Sequence, residues 1–422
     1  MEQFGGPDAP VRRVAVYSQD GFGMGHLRRT DSIATALLES RADTSVLSIC
    51  DSPSGQLFRP VGRHDRLKLP TVVKQGPGDW TAPGLGMSFD AVRNLRSAVL
   101  MSALQSFEPD LFLVDHMPHG SMGELLPALE VLRRQVPGLR VVLGLRDIID
   151  APDVVQRRWS VEGAFDAVER YYDQVLVYGS PDLYPAADLY GFPASVRERT
   201  SYCGYVVSPQ RPPADRVAAM RQALAGDGGP EARLVVVMGG SGHDAAPMMA
   251  AAVRATPLLN RRRATEVVVV CGPHMPQADR RALGRRAAEH GARLVRSVSD
   301  APALIGAADG VVALAGYNST VEILAGGTPG VLVPRRGPSA EQRTRARLFG
   351  ERDWIGVVDP DDLTPASLAV AVETALCRDR TTVPAGLDLH GLDVAASYLS
   401  LQLDGISPLS PGLVLGGTDG TA

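Results

Sequence analysis

Residues 311–342 read VVALAGYNSTVEILAGGTPGVLVPRRGPSAEQ. The first four residues are apolar and form a run short enough for a buried strand, and residues 330–334 have the same character. Between these two runs, Asn318, Ser319 and Thr320 can each cap a helix that ends at the Gly-Gly pair. Strand, turn, helix and strand in this order predict an α/β domain.

The same segment predicts an anion site at the start of its helix. A helix that begins directly after a strand presents backbone N–H groups and the positive end of its dipole at one point. Phosphate is the most natural ligand for such a point. Glu322, expected just inside the first turn, would accept hydrogen bonds from sugar hydroxyls. The alternative is an ordinary capped helix that binds nothing.

Composition narrows the class of protein. A chain of 422 residues with 45% hydrophobic residues has enough material for two globular domains. Its four cysteines form no CxxC pair, and its net charge of −4 argues against general nucleic-acid binding. The N-terminus lacks a signal-peptide pattern, and no apolar run approaches the ~18 residues of a membrane span. We therefore expect a cytoplasmic protein without an integral membrane segment, and peripheral membrane association stays open.

Strand and helix patterns alternate through both halves of the chain. A proline-rich linker near residue 208 separates them. We predict an N-terminal domain over 1–207, a C-terminal domain over 208–388, a last helix over 389–404 and a flexible tail over 405–422. Parallel α/β sheets bind ligands beyond the carboxyl ends of their strands. The polar and glycine residues that directly follow predicted strands are His26, Asp115-His116, Arg146-Asp147, Gly239 to Gly242, Cys271-Gly272 and Gly316 to Glu322.

The first of these loops carries three glycines and a histidine. Gly21, Gly23, Gly25 and His26 match neither the dinucleotide-binding GxGxxG pattern nor a P-loop, so nicotinamide and ATP are not favoured. The loop brings an imidazole to a helix N-terminus, whose positive end favours the neutral ring. His26 is therefore predicted to be a general base. The alternative is a histidine packed under the loop.

Two other strand ends are informative. Gly239-Gly240-Ser241-Gly242 follows a pure apolar strand, so its N–H groups and the Ser241 hydroxyl can cradle a phosphate. The Asp115-His116-x-x-His119 spacing suggests a metal site only weakly, because no third ligand is evident. Asp115 is expected to orient an acceptor or brace its loop. Arg146-Asp147 is expected to form an internal ion pair.

These motifs together resemble GT-B glycosyltransferases. The resemblance is carried by GFGMGH, GGSG, AGYNSTVEILAGGTPGVLVPR and Glu341-Gln342. It is closest to the branch that includes the bacterial N-acetylglucosaminyltransferase of peptidoglycan synthesis. The segments GHLRR, VD and GLRD, at residues 25–29, 114–115 and 144–147, also look like those of bacterial predicted glycosyltransferases.

The resemblance implies two Rossmann-like domains that face each other across a cleft. The second domain would bind the nucleotide-sugar donor and the first the acceptor. The residues expected to contact the nucleotide-sugar are Gly239, Gly240, Ser241, Gly242, Gly272, Val298, Gly316, Asn318, Ser319, Thr320, Glu322, Glu341 and Gln342. His26 and Asp115 are assigned to catalysis, and Gly23, Gly25, His116, Arg146 and Asp147 to the acceptor side.

The implied reaction is metal-independent and inverting. The donor would be a UDP- or dTDP-linked sugar, no cofactor would be needed, and the acceptor would be a small molecule, a glycan or a cell-envelope component. The marked excess of arginine over lysine is typical of high-GC bacteria and makes secondary metabolites plausible acceptors. A nucleotide-sugar 2-epimerase of the same fold and an inactive nucleotide-sugar-binding protein are the alternatives.

Overall fold

We analysed a computed structural model of the chain, which describes residues 11–406 apart from 21–22, 56–59, 77–78, 83, 209–210, 225–230 and 379–382. By its packing, the chain divides into two units. The first contains the described residues of Met1–Asp147, Pro152–Val206 and His390–Ala422, and the second those of Ile148–Ala151 and Val207–Leu389. Most of the predicted tail therefore lies outside the described residues.

The first unit is built on a parallel sheet. Its strands are β1 (Arg12–Ser18), β2 (Thr44–Cys50), β3 (His64–Lys68), β6 (Leu111–Asp115), β7 (Arg140–Arg146), β8 (Gln174–Tyr178) and β9 (Thr200–Tyr202), and β4 (Val73–Gly76) pairs separately with β5 (Asp79–Thr81). The sheet order is β3-β2-β1-β6-β7-β8-β9. Its helices are α1 (Gly25–Ser40), α2 (Phe89–Phe107), α3 (Leu126–Gln135), α4 (Pro152–Glu162), α5 (Ala164–Tyr171), α6 (Ala186–Leu189), α7 (Ala194–Arg197) and α15 (Gly391–Leu403).

The last helix of the chain packs within this first unit. Arg41, which follows α1, donates to both carboxylate oxygens of Asp404 at 2.8 and 2.9 Å, directly after α15. Gly391, the first residue of α15, donates its N–H to the carbonyl of Tyr205 at 3.2 Å. The N-terminal unit is therefore completed by residues from the end of the chain.

The second unit repeats the architecture with six parallel strands. Its elements are α8 (Ala214–Leu224), β10 (Arg233–Met238), α9 (Ala246–Asn260), β11 (Thr265–Val270), α10 (Gln277–His290), β12 (Arg293–Val295), α11 (Ala301–Ala307), β13 (Gly310–Ala313), α12 (Tyr317–Ala325), β14 (Gly330–Leu332), α13 (Glu341–Glu351), β15 (Gly356–Val357) and α14 (Pro365–Leu376). The sheet order is β12-β11-β10-β13-β14-β15.

Both sheets have the strand order of a Rossmann fold, in which the chain starts at a central strand, builds outward and then restarts on the other side. The order reverses between β1 and β6 in the first unit and between β10 and β13 in the second. The central strands are buried on both faces, which explains their nearly continuous runs of Val, Leu and Ile. The predicted α/β class with two Rossmann-like domains is confirmed.

Two consecutive helices of the first unit, α4 and α5, are separated at Gly163. Gly163 takes a left-handed conformation with φ 71°. A residue in this conformation interrupts the helical hydrogen-bond ladder, and glycine adopts it at little cost.

Candidate active site

Two glycine turns of the second unit pack directly against each other. A side chain at Gly242, which follows β10 and has φ +90°, would place its Cβ 2.0 Å from the carbonyl oxygen of Cys271. At Gly272, which follows β11, a Cβ would lie 2.5 Å from the carbonyl oxygen of Ser241. His274 donates its N–H to that same oxygen at 2.8 Å. The two strand ends thus form one backbone surface that only glycine permits at these positions.

The turn before α12 leaves the neighbouring strand at the same edge. Met238 of β10 is in register with Ala313 of β13, so the turns that begin at Gly239 and end at Gly316 are adjacent. Gly316 is the N-cap of α12 and makes no side-chain cap. The first N–H groups of a helix have no partner within the helix and point at whatever lies before it. These turns therefore meet at the point where the sheet order reverses.

The predicted capping at this helix is wrong in detail. Because α12 begins at Tyr317, Asn318, Ser319 and Thr320 lie inside its first turn, and Glu322 lies in the second turn. The Thr320 hydroxyl is buried and donates to the carbonyl of Gly316 at 2.8 Å. Thr320 therefore stabilises the turn from within the helix. Asn318 and Ser319 are half-buried and remain at the helix start.

A buried ion pair braces this turn from α13. Arg345 is fully buried; it donates to Glu341 at 2.8 Å and to the carbonyl of Ala315 at 3.0 Å, and it lies over the ring of Tyr317. Glu341 was predicted to contact the donor, but its carboxylate is engaged inside the protein. Gln342 is also buried, and its side-chain oxygen accepts from the N–H of Arg335 at 3.1 Å.

The edge strand β12 brings one more predicted residue close to these turns. Gly272 donates its N–H to the carbonyl of Arg296 at 3.0 Å, just after β12 ends. Val298, half-buried, follows two residues later. The predicted Val298 segment and the Gly272 turn therefore lie side by side within the second unit.

In the first unit, a cluster of side chains lies where the strand order reverses, between β1 and β6. The Nδ1 atom of His26, at the start of α1, is in short contact with the Asp115 carboxylate at the end of β6. The His26 side chain is 16% exposed, whereas that of Asp115 is completely buried. The Asp115 carboxylate therefore faces the interior of the unit, where it contacts the His26 ring. Arg29, which the sequence analysis did not single out, donates to both oxygens of Asp115 at 2.8 and 2.9 Å.

Asp20 occupies the N-terminus of α1. Its carboxylate accepts the N–H groups of His26 at 2.9 Å and Leu27 at 2.5 Å. Gly23 donates its own N–H to the carbonyl of Asp20 at 2.7 Å, which closes the loop, and Gly25 is the first residue of the helix. The positive end of α1, to which the sequence analysis attributed the neutral form of His26, is therefore already paired with a carboxylate. Gly21, part of the same motif, lies outside the described residues.

His116 adjoins His26 in a conformation that non-glycine residues rarely adopt. Its φ is 73°, and its ring centroid lies 5.0 Å from that of His26. Its Nδ1 atom is buried without a hydrogen-bond partner among the described residues. Burial, reinforced by the nearby guanidinium of Arg146, holds the pKa of His116 well below its usual value. His116 is therefore a neutral ring beside His26, held in strained backbone of the kind that gathers at functional sites.

Asp147 was predicted to lie on the acceptor side, and its burial contradicts a direct contact. Its side chain is fully buried, and its carboxylate accepts from the hydroxyl of Tyr205 at 2.7 Å. The Tyr190 hydroxyl donates to the Asp147 carbonyl at 3.1 Å. Asp147 thus stabilises the end of β7, while Arg146 is half-buried beside it.

Comparison with known proteins identifies the second unit. Residues 234–382 match the glycosyltransferase family 28 C-terminal domain. That span begins within β10 and includes the Gly239–Gly242, Gly272 and Gly316 turns. The chain is a glycosyltransferase with a family 28 C-terminal domain. Curated protein sequences gave no significant match.

Solved structures show the same fold over nearly the whole glycosyltransferase. The glycotransferase of kitacinnamycin is 16% identical with a TM-score of 0.62, over 93% of this chain and 99% of its own. MurG of Acinetobacter baumannii is 15% identical with a TM-score of 0.55, over 94% and 100%. A protein described as a UDP-N-acetylglucosamine 2-epimerase from Listeria monocytogenes is 12% identical with a TM-score of 0.59, over 96% and 100%. At these identities the likeness establishes the fold alone.

No metal site is evident in the described part of the glycosyltransferase. Its described residues contain no group of three or more His, Cys, Asp or Glu side chains arranged to hold a metal ion. Of the weak Asp115-His116-x-x-His119 candidate, Asp115 is bound by His26 and Arg29, and the Nε2 atom of His119 lies 3.7 Å from Glu162. Likewise, none of its described helices is long and apolar enough to cross a membrane.

Two buried arginines that contact predicted site residues were not singled out from the sequence, although a signal for each was present. Arg29 follows His26 by three residues, and Arg345 follows Glu341 by four. Residues at these spacings lie on the same face of a helix. An arginine one turn after each singled-out residue was therefore a detectable partner.

Proposed function

We propose that this glycosyltransferase moves a sugar from a nucleoside-diphosphate sugar, UDP- or dTDP-linked, to a nucleophile of a small-molecule or cell-envelope acceptor. The observation that carries the proposal is the meeting of the Gly239–Gly242, Gly272 and Gly316 turns at the strand reversal of the second unit. The start of α12 lies there, which suits a diphosphate. The N–H groups of Gly242, Gly272 and His274 donate to carbonyls within the unit and shape the turns. Glu322, half-buried one turn further along α12, is our candidate for a ribose contact.

The proposed acceptor side is the His26–Asp115 pair of the first unit. A carboxylate held on Nδ1 fixes the imidazole so that Nε2 can accept a proton. In the proposed step, the acceptor oxygen attacks the anomeric carbon, the bond from that carbon to the β-phosphate oxygen breaks, and the acceptor proton moves to His26. A single displacement of this kind inverts the anomeric configuration.

The departing diphosphate gains negative charge in this step. Fixed N–H donors aimed at developing charge stabilise it without the reorganisation that water requires. We propose that the turns and the start of α12 supply this stabilisation, so that neither a metal ion nor a cofactor is needed. Because nucleoside-diphosphate sugars are cytoplasmic metabolites, we place the reaction in the cytoplasm.

A nucleotide-sugar 2-epimerase is less well supported. It needs additional acid and base groups beside the sugar, and Asp115 and Asp147 were the candidates. Asp115 is completely buried against His26 and Arg29, and Asp147 is bound by Tyr205. Neither carboxylate is placed to exchange a proton with a sugar.

The test combines binding with product analysis. Thermal-shift screening with UDP and dTDP identifies the nucleotide, and incubation with the matching sugars and candidate acceptors distinguishes transfer, epimer formation and no reaction. We expect transfer. His26→Gln should retain nucleotide affinity and lose turnover, because the base lies outside the donor site. Near-normal turnover in this variant would contradict the assignment of the base, and epimer formation would contradict the reaction.

A further inference from the structure

Three side chains meet in the interior of the first unit. Arg29 places one terminal nitrogen 2.8 and 2.9 Å from the two oxygens of Asp115, and that nitrogen lies 3.1 Å from Nδ1 of His26. The guanidinium also lies over the ring of Tyr178, 5.0 Å from its centroid. With its side chain only 2% exposed, Arg29 is held in this position by packing as well as by charge.

The ionised state of Asp115 determines which atoms of the cluster carry hydrogens. Burial opposes ionisation of Asp115, but Arg29 and His26 outweigh it, and its pKa is lowered. An ionised carboxylate only accepts hydrogen bonds, so Nδ1 of His26 must carry the hydrogen and donate it to Asp115. Arg29 and the Nδ1–H group therefore both donate to the same Asp115 oxygen.

The other charged groups around His26 do not supply a comparable cation. Asp20, from the loop before α1, pairs with the helix start and is an anion. His116, from the loop after β6, is neutral because burial and Arg146 lower its pKa. Arg146 and Arg158 act on His116. Arg29 is a cation in direct contact with the His26 ring, 3.1 Å from its Nδ1 atom.

We propose that Arg29 is a positioning residue that keeps the His26 ring neutral and ready to accept a proton, by competing with it for Asp115. If His26 became protonated, two cations would have to share one buried carboxylate, and the imidazolium would gain less from Asp115 than it would in an isolated pair. This role rests on the proposed function of His26 as a base. The GT-B fold by itself does not require it.

The test follows the His26 ring directly and needs no substrate. The full-length protein is labelled with 13C at the Cε1 atom of histidine, and His26→Gln assigns the His26 signal among the eight histidines. The midpoint of the His26 titration is then compared between the wild type and Arg29→Gln. We expect the midpoint to rise by about one pH unit in the variant, because a neighbouring positive charge is removed.

Two further variants separate charge from packing. Arg29→Lys keeps the charge and should shift the midpoint by less than half as much. Arg28→Met, two residues from His26 and hence directed elsewhere on α1, should leave it unchanged. If Arg29→Gln does not fold, Arg29→Gln with Asp115→Asn removes both buried charges together. Its midpoint, read against Asp115→Asn alone, should differ by less than about half a pH unit, because no carboxylate is left to compete for. A larger difference would overturn the proposed competition.

Activity provides the second readout. Once a donor and an acceptor are known, the acid limb of the pH–rate profile should move to higher pH in Arg29→Gln by the same amount as the NMR midpoint. An unshifted NMR midpoint in a folded variant would overturn the proposal even if sugar transfer is established. A shifted midpoint without any transfer would instead retain the Arg29 role and contradict the proposed function.

Discussion

The two units present different chemical groups at the points where their strand order reverses. In the second unit the candidate site is made of backbone, with glycine turns packed so closely that a Cβ at Gly242 would lie 2.0 Å from a carbonyl oxygen. In the first unit it is made of side chains, with His26, Arg29 and Asp115 in one buried charge cluster. The two units have similar folds, but the hydrogen-bonding groups come from the main chain in the second unit and from side chains in the first.

This difference matches the chemistry proposed for each unit. The diphosphate gains negative charge as the sugar leaves but exchanges no proton, so fixed N–H dipoles suit it. An acceptor must lose a proton, so its site needs a group that can change protonation state, together with neighbours that set when it does. Substitutions should therefore act through geometry in the second unit and through protonation in the first.

The largest expected effect is on turnover, from Asp115→Asn. The amide carries no charge to stabilise the imidazolium, and its NH2 group can donate to Nδ1 and favour the wrong tautomer, so we expect kcat to fall by about 1,000- to 10,000-fold. Nucleotide affinity should be retained, because the proposed donor site is in the other unit. Steady-state kinetics and calorimetric titration with the nucleotide check both, and a melting curve confirms that the variant is folded. A loss smaller than tenfold would show that His26 does not depend on Asp115.

Next in size is Gly242→Ala, with Gly240→Ala as its control in the same turn. Both glycines have positive φ, but only a Cβ at Gly242 meets a backbone carbonyl, whereas a Cβ at Gly240 meets nothing within 4 Å. Gly240→Ala should lower the free energy of unfolding by about 1 kcal/mol, which is the cost of holding alanine in a left-handed conformation. Gly242→Ala should lower the free energy of unfolding by about 3 kcal/mol or more and should weaken nucleotide binding strongly. Denaturant unfolding and nucleotide titration measure the two effects, and equal costs would refute the close packing of the turns.

Glu341→Ala distinguishes a role in the buried ion pair with Arg345 from the predicted contact with the donor. Loss of a carboxylate from a buried ion pair leaves Arg345 without its partner on α13, so we expect the free energy of unfolding to drop by about 3 kcal/mol. Glu351→Ala is the matched control, because it breaks the exposed pair with Arg347 on the same helix and should cost less than about 0.5 kcal/mol. Reduced donor affinity without lost stability would restore the original assignment to the donor site.

The smallest expected effect is that of Glu322→Ala on nucleotide-sugar binding. One charged hydrogen-bond partner is removed from a half-buried position, so we expect affinity to fall about tenfold, equivalent to roughly 1.4 kcal/mol. Titration of the wild type and of the variant with UDP, and with UDP analogues that lack ribose hydroxyls, shows whether Glu322 contacts the ribose. If both ligands lose the same affinity, Glu322 does not contact the ribose.

The backbone-built site was largely predictable from the sequence. Glycines directly after apolar strands indicate tight turns, and the rules of parallel sheets place those turns at one edge. Helix starts were less predictable, since Asn318, Ser319 and Thr320 are all good caps and yet Gly316 is the cap observed. The chain there gains more from continuing the helix back to Tyr317, whose ring packs under the guanidinium of Arg345.

The side-chain site was predictable only in part. His26 and Asp115 both follow predicted strands, but their contact joins residues 89 positions apart. The position of Arg29 between them depends on the packing of Tyr178 from a third strand. Local pattern also could not show that Asp147 and Thr320 would use their polar atoms internally.

The central claim is that main-chain N–H groups of the second unit hold the donor's diphosphate. Hydrogen–deuterium exchange of the full-length protein, with and without saturating UDP or dTDP, tests it directly. We predict slower exchange in peptides covering 239–243, 272–275 and 316–322, with little change around 12–50 in the first unit. Unchanged exchange at these turns, while the nucleotide is demonstrably bound, would contradict the account.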